Sequence, residues 1–97
     1  MRHRVVRSGA WLYDGTAAAP VNLVETDYDF WHETTNADGM LEPGDAPALN
    51  PDGHLYYVCF KEVSATEPLS VDSEGFSSPD LAALHAQSRV AGPITWR

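Results

Sequence analysis

The chain has 97 residues, 43% hydrophobic and 10% aromatic, with 14 Asp and Glu against 6 Lys and Arg, 4 His, one Cys and a formal net charge of -8. That length makes one domain with a modest core, residues 1–97, and the apolar content excludes wholesale disorder in spite of the charge. A single Cys excludes an intramolecular disulfide, and with no Cys/His cluster a structural zinc site is excluded too.

The N-terminus carries Arg2, His3, Arg4 and Arg7. No apolar run of the kind a secretory signal needs follows them, and no stretch reaches the ~20 apolar residues of a membrane span, so a cytoplasmic chain is expected. Residues 1–8 read as a frayed or partner-bound segment, within which Val5 and Val6 can begin a strand. Gly9 separates them from Ala10-Trp11-Leu12-Tyr13, and Asp14-Gly15 is a turn signal. Thr16 to Pro20 is small and featureless and reads as a connection.

Val21 to Trp31 is the longest strand candidate. Its alternation puts Val24, Thr26, Tyr28, Phe30 and His32 on one face and Glu25, Asp27, Asp29 and Trp31 on the other. Residues 33–53 follow as a long acidic loop rich in Gly and Pro, of a length that compact domains keep for a purpose. His54 to Glu62 is the second clear strand, and because both of its faces are apolar it is expected to lie centrally in the sheet. Leu69 to Val71 is a brief strand candidate.

One helix is expected. Ser77-Ser78-Pro79-Asp80 supports either Ser77 as N-cap with Asp80 at N3, or Ser78 as N-cap with Pro79 at N1, and the helix runs through Leu81, Leu84, Ala86 and Val90 to Gly92-Pro93. Pro93 to Trp96 can form an edge strand. The fold class is therefore α+β: an antiparallel, meander-like sheet of about four to six short strands with one C-terminal helix packed on one face.

Charge distribution carries more than total charge. Between Arg7 and Lys61 there is no Lys or Arg, while nine Asp and Glu fall in that interval. Such a surface disfavours nucleic acid and anionic membranes and favours a basic partner, a cationic ligand or a hard metal ion. Trp11, Trp31 and Trp96 are candidates to reach the surface as anchors. The expected function is a small non-enzymatic binding or regulatory module that contacts a basic protein or a second copy of itself. Its interaction surface would be Glu25, Asp27, Asp29, Trp31, His32 and Glu33, with no cofactor and no catalytic residue assigned.

Two alternatives stand beside it. The first is a small enzyme or ligand-binding protein with a site at Asp29, Trp31, His32 and Glu33, where Asp27 and Asp29 would form a carboxylate pair about 7 Å apart on one strand face. Cys59 with His32 or His54 is a nominal thiol and imidazole pair, but a mid-strand Cys among apolar neighbours is where an inert buried thiol belongs. The second is a divalent-metal site in residues 34–45. Asn36-Ala37-Asp38-Gly39-Met40-Leu41 resembles the centre of a calcium loop and recurs as Asn50-Pro51-Asp52-Gly53-His54-Leu55. The first copy would offer Thr34, Asn36, Asp38, the Met40 carbonyl, Glu42 and Asp45. No phosphate loop, nucleotide fingerprint, nucleophile elbow or zinc-protease helix occurs.

Overall fold

A computed structural model describes residues 2–97. The elements in chain order are β1 (His3–Tyr13), β2 (Ala17–Thr26), α1 (Phe30–Ala37), β3 (Leu55–Cys59), α2 (Pro79–Ser88) and β4 (Thr95–Trp96). The four strands form one antiparallel sheet in the order β3-β2-β1-β4, so β1, β2 and β3 are a meander and the C-terminus returns to add β4 outside β1.

The β1–β2 hairpin is longer than the sequence pattern indicates. Gly9 does not break β1, because the chain needs a residue without Cβ there: a methyl group would sit 2.8 Å from the Thr95 carbonyl and 2.9 Å from the Trp96 ring. Asp14 and Gly15 both take positive φ, and the Thr16 amide donates to the Tyr13 carbonyl at 3.1 Å, as a type I′ turn requires. Ala17 to Pro20, expected as a connection, belongs to β2 and pairs with Ala10 to Tyr13. Proline is tolerated at position 20 because β3 pairs only with Asn22 to Thr26, leaving β2 one neighbour there.

The expected strand from Val21 to Trp31 ends at Thr26. Asp29 then caps a second helix, its Oδ1 accepting from the His32 amide at 3.1 Å, with Glu33 favourably placed in the first turn. The single-helix expectation is thereby corrected, and the loop of 33–53 begins only after Ala37. The later helix has Ser78 as its N-cap and Pro79 at its start, and it stops at Ser88 rather than running on to Val90. It lays Ala82 and Ala86, one turn apart, on the sheet and turns Leu81 and Leu84 to solvent.

The sheet is covered on both faces. Against one face α2 closes a core of Val21, Leu23, Val58, Ala82, Ala86 and Ile94; against the other, Val24, Leu55, Tyr57, Cys59 and Val71 pack with Phe30, Val63 and Leu69. This two-sided burial explains why β3 is apolar on both faces, yet β3 is an edge strand and not a central one. Leu69 to Val71 forms no strand; Val71 serves as a plug in the second core. No helix among the described residues is long and apolar enough to cross a membrane.

Candidate binding edge

The six residues expected to form an interaction surface do not share one. Glu25 lies in β2 beneath a short ladder: the Arg4 Nε donates to its Oε1 at 2.9 Å and the Tyr56 hydroxyl to its Oε2 at 2.9 Å, leaving the side chain 15% exposed. These donors hold its carboxyl below the usual range, the Arg4 bond foremost. Asp27 accepts from the Arg2 amide at 2.6 Å, which likewise lowers its carboxyl. Asp29 uses Oδ1 for the helix cap and Oδ2 for the Ala48 amide at 3.0 Å. All three carboxylates stabilise the fold locally.

Trp31, His32 and Glu33 follow one another on α1, where consecutive residues point some 100° apart and cannot converge. Trp31 is half-exposed and its indole donates to the Ser73 carbonyl at 3.0 Å. Both ring nitrogens of His32 are buried without a hydrogen-bond partner among the described residues, so its ring is held by packing. Glu33 lines a groove of about 680 Å³ with Arg2, His3, Tyr28, Phe30 and Leu69. The Asp27/Asp29 carboxylate pair on one strand face is not formed, since one residue is in a turn and the other at a helix start.

In the 34–45 segment, Thr34 and Asn36 are helical and Asp38 is the C-cap of α1, so ligands at alternate positions do not turn towards a common centre. Asp45 accepts from the Glu42 amide at 2.8 Å, and in the second copy the Asn50 side chain accepts from Asp52 and His54 as an ordinary turn former. No three His, Cys, Asp or Glu side chains gather to hold a metal among the described residues. Cys59 is fully buried, with its thiol 3.4 Å from the Ser70 carbonyl, and burial pushes it up to about 11. It should therefore resist a thiol reagent in the native protein and react only on unfolding.

The feature that does set a surface apart is the unlike treatment of the two sheet edges. Outside β3, residues 72–76 meet the strand group by group: Tyr56 exchanges both backbone bonds with Phe76 at 2.8 Å, and the Val58 amide donates to Ser73 Oγ at 2.8 Å. The Val58 carbonyl accepts from the Asp72 amide at 2.9 Å, and the Phe60 amide donates to Asp72 Oδ2 at 2.7 Å. Gly75 lets this segment lie close, since a Cβ there would come within 3.0 Å of Leu55 and 3.1 Å of the Tyr57 hydroxyl.

Outside β1, only Gly9 and Ala10 pair with β4, and the Arg97 amide reaches the Ser8 carbonyl at 2.8 Å. Among the described residues no backbone hydrogen bond is made to the outer side of His3 to Arg7; the 64–69 loop comes up to the start of the strand, where the His3 Nε2 lies 2.8 Å from the Ser64 carbonyl. Those residues are the ones expected to be frayed; from His3 onward they pair instead with Leu23 to Thr26, and a bulge at Val6 interrupts the register. Sequence reasoning found the basic cluster at Arg2, Arg4 and Arg7 but not its place on an open edge. The alternation of Val5, Arg7 and Gly9 was the available signal, blurred by the bulge. No protein-family model matches the chain, and neither the curated proteins nor the solved structures give a match.

Proposed function

We propose that the protein is a non-enzymatic binding module that takes up an extended segment of a partner protein as an added strand along β1. The observation that supports this reading is the contrast between the edges: residues 72–76 meet five outward backbone groups of β3, three through backbone and two through side chains, while among the described residues the outer side of His3 to Arg7 has no backbone partner. Main-chain hydrogen bonds to such an edge supply affinity, and side chains on either face of the added strand supply selectivity. In this reading the carboxylates of the expected acidic surface serve the fold locally rather than a partner, because Glu25, Asp27 and Asp29 already have donors.

The test is selection of binders from a displayed library of random linear peptides, followed by mapping of one synthetic binder on amide chemical shifts. Shifts at His3 to Arg7, with Tyr56, Val58 and Phe60 unmoved, are the expected result. A second reading, a ligand site in the groove lined by Arg2, Tyr28, Phe30 and Glu33, draws on its volume of about 680 Å³. Binders that shift Phe30, Glu33 and Leu69 while leaving Val5 to Arg7 still would favour the groove, which His3 itself lines, and sink the strand-addition reading.

A further inference from the structure

We infer that the strand added to β1 is acidic, an extended segment of another protein with Asp or Glu at alternate positions. The inference rests on the strand-addition reading and concerns the chemistry of the occupant.

Its first support is where the cations are. Of the six Lys and Arg, Arg4 and Arg7 lie in β1 and Arg2 immediately before it; Arg97 is tied to Ser8 through its amide; and Arg89 lines a groove with Trp11 to Gly15 at the hairpin tip. Lys61 alone is elsewhere, 3.0 Å from Asp72. The eleven residues of β1 contain no Asp or Glu. A chain that is acidic as a whole therefore places three of its six cations, Arg2, Arg4 and Arg7, on or beside the open stretch of β1.

The second support is that most of these cations lack a partner. With 14 carboxylates to 6 cations, intramolecular pairing is easy, yet among the described residues only Arg4 and Lys61 have a carboxylate within ion-pair distance. Arg2, Arg7, Arg89 and Arg97 have none. Arg7 instead lies over the Trp96 ring, 4.8 Å from its centroid, and no described carboxylate lies within ion-pair distance of its N–H groups. Side chains directly opposite on a neighbouring strand come within about 4.5–5.5 Å, close enough for a carboxylate on the added strand to reach Arg7.

The same charges argue against a second copy as the occupant. Two β1 strands paired about Val5 would gather Arg2, Arg4 and Arg7 of both copies on one ribbon whose strands carry no carboxylate, a concentration of like charge that opposes their association. The bulge at Val6 would also fall within that ladder twice. An acidic strand meets neither obstacle. Its approach is opposed at long range by the net charge of -8, but at about 0.15 M salt fields beyond ~8 Å are largely screened while contacts at the edge persist.

The experiment uses the isotopically labelled full chain at about 0.15 M salt with three synthetic peptides of about eight residues, enough to span His3 to Arg7: alternating Glu-Thr, Gln-Thr and Lys-Thr. The Glu peptide should shift the His3 to Arg7 amides and bind at least about tenfold tighter than the Gln peptide, with the Lys peptide weakest. Arg7→Gln and, separately, Arg2→Gln should each move the Glu peptide towards the Gln affinity. Equal binding of the Glu and Gln peptides at this edge would overturn the acidic occupant while strand addition stood. If no peptide moves the His3 to Arg7 amides, strand addition itself falls. Concentration-dependent shifts of those amides without peptide would overturn the proposal in favour of self-pairing.

Discussion

At the β3 edge, every outward backbone group from Tyr56 to the Phe60 amide has a partner in residues 72–76, whereas at the β1 edge pairing is confined to the stretch beside β4. The two edges also differ in what makes them. The seal on β3 is irregular chain that works through side chains as much as backbone, with Ser73 and Asp72 replacing two rungs of a ladder. It is braced in turn by the Trp31 indole on the Ser73 carbonyl and by Lys61 on Asp72. The cover on β1 is a true strand only two residues long. An unpaired strand edge beside a sealed one is the feature on which the proposed strand addition rests.

The largest expected effect comes from breaking the seal. Ser73→Ala leaves the Val58 amide, which is wholly buried, without an acceptor, and it should destabilise the protein towards the upper part of the about 1–3 kcal/mol that an unsatisfied buried donor costs. Amide exchange offers the sharper readout: Tyr56, Val58 and Phe60 should be protected in the parent protein and Val58 should lose protection in the variant. If Val58 stays protected, the seal does not depend on the hydroxyl and the contrast between the edges is shallower than described.

A smaller effect is expected from lengthening the open edge. In Gly9→Ala the new methyl would overlap the Thr95 carbonyl and the Trp96 ring with the buried Ile94 behind them at 3.1 Å, and because the nearest atom is backbone the loss should be about 2 kcal/mol, mid-range for overpacking. Trp96 should become more exposed, seen as a red shift of its fluorescence, and any peptide that binds β1 should gain contacts towards Ala10. A variant with unchanged fluorescence and stability would mean that β4 was never seated against Gly9.

Much of this architecture is legible in the chain. The Ser78-Pro79 start of α2, the Asp14-Gly15 turn, the β3 segment and the C-terminal edge strand each follow from a local signal. What escaped is set by contacts distant in sequence or by competing local signals. Tyr28, Phe30 and Trp31 have strand propensity, and it takes the Asp29 cap, anchored a second time by Ala48, to start a helix at Phe30 and leave Tyr28 in the bend before it. The row of Glu25, Asp27 and Asp29 reads as a free acidic face until Arg4, Arg2 and the loop at Ala48 are brought to it from residues 19 to 25 positions away. The seal on β3 is invisible in the pattern of 72–76, since serine and aspartate bonded to a strand edge have no periodicity to display.

The smallest effect lies where the two edges communicate, at the ladder of Arg4, Glu25 and Tyr56 that runs from β1 across β2 to β3. The bonds from Arg4 and Tyr56 favour the ionised Glu25, so its carboxyl titrates below its ordinary value of 4.5. A carboxyl lowered on folding binds fewer protons in the native state than in the unfolded chain through that range. Its contribution to stability is therefore complete above the ordinary value and is lost as pH falls through the lowered one. Arg4 is 72% exposed and solvent weakens its part, so Glu25→Gln should reduce stability at neutral pH by less than Ser73→Ala does and flatten the acid limb of the stability curve below about pH 5. Asp27, lowered by the Arg2 amide, should preserve the remainder of that limb. An acid limb as steep in Glu25→Gln as in the parent would place the pH dependence in other carboxylates and show that the link between the two edges through Arg4, Glu25 and Tyr56 adds little to stability.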